Sequence, residues 1–96
     1  MDNLQIFKEK MINDYLSSID ISETSIEQIK QDLRSILGEE PAVKLNYVVN
    51  NLIIEGTNDK KKIENIESIS IIFTIDKEIV PGHNIPFPIT KTFLIN

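Results

Sequence analysis

Apolar residues in the first part of the chain recur with the period of a helix. Over residues 2–19 they give one apolar stripe, made of Leu4, Phe7, Met11, Ile12, Tyr15, Leu16 and Ile19. Over residues 24–37 they give a second stripe, made of Ile26, Ile29, Leu33, Ile36 and Leu37. The pattern predicts two amphipathic helices, which the short link at residues 20–23 would join as an antiparallel pair or a bent corner.

The second helix has residues typical of both ends of a helix. Thr24 and Glu27 form a capping box, in which each side chain bonds to the backbone of the other residue, and Ser22 is the alternative cap. Gly38 supplies the left-handed position that often follows a helix, and Pro41 prevents its continuation. We therefore predict a helix that is capped at Thr24 or Ser22 and ends at Gly38.

From Ala42 onward the apolar period changes to two, which indicates β-strands. The alternation begins with one strand over residues 43–49 and is clearest where Ile69, Ile71, Phe73 and Ile75 share one face. A final strand over residues 89–95 places Ile89, Phe93 and Ile95 inward, and its Thr90, Lys91 and Thr92 are typical of a sheet edge. Strands that are apolar mainly on one side suit an antiparallel sheet with helices on one face.

Two segments of the sheet region require a choice between conformations. In Val48–Ile53, the pair Asn50-Asn51 fits either a two-residue hairpin turn or one long, bulged strand, and the stronger turn signal at residues 56–62 favours the long strand. The segment Ile85–Pro88 lacks two backbone donors, so we expect it to cross an end of the sheet in an extended form. Val80–His83 fits a type II turn.

Together these elements predict one α+β domain over residues 1–96. A helical pair at residues 1–38 would pack on one face of a three- or four-stranded, mostly antiparallel β-meander at residues 42–96. A chain of 96 residues is long enough to form one hydrophobic core without covalent cross-links.

Composition restricts the cellular setting and the chemistry. The chain has no cysteine, which excludes disulfides, thiolate metal sites and thiol nucleophiles. Its start lacks the features of a signal peptide, and no apolar run approaches the ~20 residues that cross a bilayer. We therefore expect a cytoplasmic protein without a membrane partner. Frequent Ile, Asn and Lys indicate an AT-rich genome, which points to a low-GC bacterium or its phage.

The charge distribution disfavours nucleic acid as a partner. The net charge is −5, and most of the excess acid lies in the helical half. Phosphate contacts dominate binding to a duplex, and they require the opposite sign. Lys60, Lys61 and Lys62 form a compact basic loop that could contact phosphate, but they have no interleaved Arg or aromatic residues.

No residue pattern indicates catalysis, and we expect neither a metal site nor a cofactor, because His83 is the only histidine and no carboxylates have a ligand spacing.

Four other features are candidates for contact with a partner. Glu39 and Glu40 follow a helix C-terminus, where the helix dipole disfavours negative charge. Phe87 is held between two prolines, so it either docks at little entropic cost or closes the end of its own core. The lysine loop is the third candidate.

Ile72 is the fourth candidate for contact with a partner, because together with Val48 it interrupts the polar outer face of the predicted sheet.

The combined features favour a small non-enzymatic module that binds a protein, such as a phage- or mobile-element-encoded inhibitor or accessory factor acting on a host protein. One alternative is an assembly subunit that forms a homo-oligomer through the outer sheet face. The other is a weak nucleic-acid binder that uses Lys60–Lys62.

Overall fold

The computed structural model describes residues 3–55 and 64–95, and for residues 3–5 it describes the backbone alone. The described elements are α1 (Asn3–Ser18), α2 (Ile26–Leu37), β1 (Val43–Val49), β2 (Leu52–Glu55), β3 (Ser68–Val80) and β4 (His83–Leu94). The two helices pack against one face of an open antiparallel sheet, which confirms the predicted α+β architecture. The strand order is β2-β1-β3-β4, whereas a meander would keep the strands in chain order.

The hydrophobic core lies between the helices and the sheet. The odd-numbered residues of β1 and β3 face the helices, as the alternation predicts, and those that are buried are Val43, Leu45, Tyr47, Ile69, Ile71, Phe73 and Ile75. The helices and their link contribute Ile12, Leu16, Ile21, Ile26, Ile29 and Leu33. Burial of one large aliphatic or aromatic side chain contributes ~1.5–3 kcal/mol, so this cluster is the main source of stability.

Only part of the predicted α1 stripe is buried. Ile12 and Leu16 enter the core, whereas Phe7 and Met11 are exposed. At about 100° per residue, Met11 is rotated by about 100° and Phe7 by about 140° from Ile12 around the helix axis. The sheet covers one side of α1, and the apolar surface of this helix is wider than the covered side.

Ser25, and not Thr24 or Ser22, caps α2. The backbone N–H of Gln28 donates to Ser25 Oγ at 3.1 Å. The Thr24 hydroxyl instead donates to the Asp20 carbonyl oxygen at 2.7 Å, inside the link between the helices. The predicted cap was therefore wrong, because the link uses the nearest threonine for its own turn and leaves the following serine for the helix.

The predicted end of α2 is confirmed at Gly38. This residue has a φ of 84° in the left-handed region, and its N–H donates to the Arg34 carbonyl oxygen. The two helices are also joined through their side chains, because the Tyr15 hydroxyl donates to Asp32 Oδ2 at 2.7 Å. Burial and this bond to a carboxylate raise the pKa of the Tyr15 phenol, so Tyr15 stays a neutral donor.

The long, bulged strand predicted for Val48–Ile53 is wrong, and the alternative hairpin is present. Asn50 and Asn51 have φ values of 52° and 64°, so both turn residues are left-handed, as a type I′ turn requires. Asparagine tolerates this conformation better than other non-glycine residues do. The turn reverses the chain and places β2 along the outer side of β1.

The segment Ile85–Pro88 belongs to β4 and does not cross the end of the sheet, contrary to the prediction. Pro86 pairs with Asp76 and Pro88 with Thr74. The N–H of Ile95 donates to the Glu67 carbonyl oxygen, so alternation turns the missing donors of both prolines away from β3. Because β4 is an edge strand of the described sheet, no ladder bond is lost. The predicted turn at Val80–His83 is confirmed, with a Gly82 φ of 81°.

Substitution of Gly38 by alanine should lower the free energy of unfolding by about 1 kcal/mol, because a Cβ is disfavoured at positive φ. Apart from Gly38 and its immediate chain neighbours, no described atom lies within 4 Å of the position that this Cβ would take, so the backbone conformation causes the loss. Urea unfolding followed by circular dichroism measures it, with Glu39→Ala as the control at the exposed neighbouring position. An unchanged stability of Gly38→Ala would contradict the left-handed end of α2.

Candidate protein-binding surface

A cleft of about 390 Å³ opens where α1 lies beside the β3–β4 hairpin. Helix, strand and edge strand each supply part of its wall, and we name it the hairpin cleft. It is lined by Glu9, Ile12, Asn13, Ile75, Lys77, Phe87, Pro88, Ile89 and Thr90. Its wall is mixed, because aliphatic and aromatic members give it apolar surface, whereas Glu9, Asn13, Lys77 and Thr90 give it polar and charged groups.

Strand pairing places Phe87 at the boundary between the covered and uncovered parts of the sheet. It pairs with the buried Ile75 on the face that carries the helices, yet 42% of its own surface is exposed. Pro86 and Pro88 fix φ on both sides of it, which stiffens the backbone there. Phe87 therefore borders the core and still presents its ring to solvent.

Lys77 connects α1 to the hairpin. Its Nζ lies 3.1 Å from Glu9 Oε1, and both side chains are about 70% buried, with exposures of 26% and 30%. The same Nζ lies 4.7 Å from the centroid of the Phe87 ring, which is a cation–π contact. One ammonium group thus holds both the helix and the aromatic ring at the cleft.

Exposed apolar residues extend the surface beyond the cleft. Ile85 pairs with Lys77 on the same face as Phe87, and Ile79 and Val80 continue toward the hairpin turn. Ile6 precedes Glu9 by three residues, so it lies on the same side of α1. All four are exposed. Ile85 and Phe87 are neighbours on one face of β4 and both are exposed, and contiguous apolar residues on a surface mark interaction sites.

The structure does not bring Glu39 and Glu40 to Phe87. Both glutamates are exposed in the segment that follows α2. Glu39 lines a different cleft, of about 380 Å³, together with Lys8 and Asp76. The linings of the two clefts share only Ile12 of α1 and Ile75 of β3. Glu39 therefore belongs to a neighbouring, more highly charged surface.

Ile72 lies on the sheet face opposite the helices, as predicted, and is half-buried between its strand partners Lys44 and Thr90. Val48, on the same face, is also half-buried. A homo-oligomer through this face remains a prediction. Lys60, Lys61 and Lys62 lie outside the described residues.

Within residues 3–55 and 64–95, no three His, Asp or Glu residues are grouped so that they could hold a metal ion. His83 is exposed at the start of β4. No helix in the same part of the chain is long and apolar enough to cross a membrane.

No protein-family model matches this sequence, and no match was found among curated proteins or among solved structures. A functional conclusion therefore depends on the geometry of the described surface.

Sequence reasoning singled out Phe87 but missed Lys77, Glu9 and Ile85. One signal was available for Lys77, because the alternation of β3 places it on the same face as Ile71, Phe73 and Ile75. A charge on the apolar side of a strand needs a partner. The partners themselves depend on the packing of α1 beside the hairpin, which no local pattern specifies.

Replacing Lys77 by alanine should lower the free energy of unfolding by about 1 kcal/mol, because one change removes a partly buried ion pair and the cation–π contact. The control is Lys44→Ala, since Lys44 pairs with Glu55 at 3.4 Å and both side chains are about two-thirds exposed. This control should change stability by no more than about 0.5 kcal/mol. Urea unfolding of both variants makes the comparison, and equal losses would contradict the role of Lys77.

Proposed function

We propose that this chain is a non-enzymatic protein-binding module, and that the hairpin cleft receives an apolar side chain of the partner. The observation that supports the proposal is the position of Phe87. Phe87 is 42% exposed, lines the cleft and is carried by a backbone that two prolines stiffen. A residue that is already ordered loses little entropy when it docks.

The extent of the apolar surface favours a protein over a small molecule. The cleft alone has the volume of a small-ligand pocket. Ile85, Ile79, Val80 and Ile6 are exposed apolar residues outside the lining of the cleft, where a small ligand would not reach. An aromatic anchor surrounded by aliphatic contacts is also the usual arrangement of residues that dominate a protein interface.

The charge of the chain indicates which partners it would approach fastest. A net charge of −5 attracts a partner with a basic surface and repels nucleic acid. Small size and acidity favour an inhibitor or accessory factor that acts on a host protein in the cytoplasm. A phage or mobile element would be a fitting source for such a factor.

Selection of a displayed peptide library on the immobilised chain tests the proposal. The selected peptides should carry an aromatic or large aliphatic residue, and Phe87→Ala should weaken their binding at least about tenfold, as removal of an interface anchor does. Phe7→Ala is the matched control, because Phe7 is 58% exposed and points away from the core. It should leave peptide affinity unchanged.

Binding is measured by fluorescence anisotropy of labelled peptides, after circular dichroism has shown that both variants are folded. Peptides that bind Phe87→Ala as tightly as the wild type would place the binding surface elsewhere. A selection that yields no enriched sequence would reject the module interpretation.

A further inference from the structure

The two edges of the described sheet differ in their protection against another strand. β4 carries Pro86, Pro88 and Lys91, which discourage pairing. β2 has the sequence Leu-Ile-Ile-Glu, without proline and with its only charge at the last position. Leu52 is 70% and Ile53 is 71% exposed. The β2 edge therefore has the features that natural sheets usually avoid.

Hydrogen bonding determines which backbone groups of β2 face outward. The Val48 carbonyl oxygen accepts from the N–H of Glu67, so the backbone groups of Val48 face the β3 side of β1. Ile53 stands opposite Val48 in the β1–β2 ladder. In an antiparallel pair such opposed residues either exchange both bonds or turn both sets of groups away. The N–H and C=O of Ile53 therefore point away from β1, at the edge.

We propose that β2 pairs antiparallel with β2 of a second copy of this chain, about a two-fold axis at Ile53. In this register Ile53 exchanges both backbone hydrogen bonds with Ile53 of the second copy. Leu52 then faces Ile54 of the second copy on the side that carries the helices. Glu55 stands opposite Asn51, so the two carboxylates do not meet. This register therefore places no like charges opposite each other.

The protected β4 edge explains why pairing stops at two copies. Pairing of β2 with β4 of another copy would continue into a filament, because each added chain would offer a new edge. Pro86 and Pro88 lack the outward donors that such a contact requires. When β2 pairs with β2 of the second copy, neither unprotected edge stays exposed, and the result is a closed dimer with one continuous eight-stranded sheet. Because the hairpin cleft lies toward the β4 edge, the dimer leaves it open.

Sedimentation equilibrium of the full chain over a range of concentrations tests the proposal. The mass should rise from 11.0 kDa toward twice that value as concentration increases. Ile53→Pro removes one outward donor and no bond to β1, and it should keep the chain monomeric over the same range. Thr90→Pro is the matched control, because it adds a proline to β4 in the same alternation as Pro86 and Pro88. It should dimerise like the wild type.

A second measurement keeps the test valid if a proline variant fails to fold. The chain has no cysteine, so Ile53→Cys introduces a single thiol at the proposed two-fold axis. Mild oxidation should link this variant into a disulfide dimer. Leu94→Cys, at a position that is 83% exposed on β4, should remain largely unlinked. A wild type that is monomeric at all concentrations, a dimer that persists in folded Ile53→Pro, or equal cross-linking of the two cysteine variants would overturn the proposal.

Discussion

Burial of the odd-numbered residues of β1 and β3 under α1 and α2 is the interaction on which the other features depend. The two helices cannot cover the whole sheet. β3 has 13 residues and extends over roughly 43 Å, whereas the 16 residues of α1 span only about 24 Å. The molecule is accordingly elongated, with a longest dimension of 46 Å. The covered middle of the sheet supplies the stability, and both the distal β3–β4 hairpin and β2 extend beyond it.

The uncovered parts carry the surfaces that we propose to be functional. At the hairpin, Lys77 and Glu9 join the end of the core to α1, and Phe87 lies next to them with its ring exposed. At the other side of the sheet, β2 presents an apolar edge without a second layer. Few buried contacts hold either element, so each should open locally more easily than the core does. Contact with a partner would order these same elements.

The period of the apolar residues was sufficient to predict the helices, the inward faces of β1 and β3 and the end of α2 at Gly38. It could not predict which strand lies at an edge. Pro86 and Pro88 are tolerated inside β4 because β4 is an edge strand of the described sheet. The cap of α2 could not be predicted either, because local hydrogen bonds compete: Thr24 bonds within the link and leaves Ser25 as the cap. The hairpin cleft could be predicted only as far as Phe87, since its other walls come from α1 and β3 and meet only in three dimensions.

Native-state hydrogen exchange at two positions of the same ladder tests most directly whether helix cover determines stability along β3. Ile71 is fully buried under the helices, whereas Lys77 lies two residues beyond Ile75, the last buried residue of β3. Both residues have the same alternation, so both amides bond toward β4. We predict that the Ile71 amide exchanges only through global unfolding and at least about a hundredfold more slowly than the Lys77 amide. Equal protection of the two amides would contradict the account.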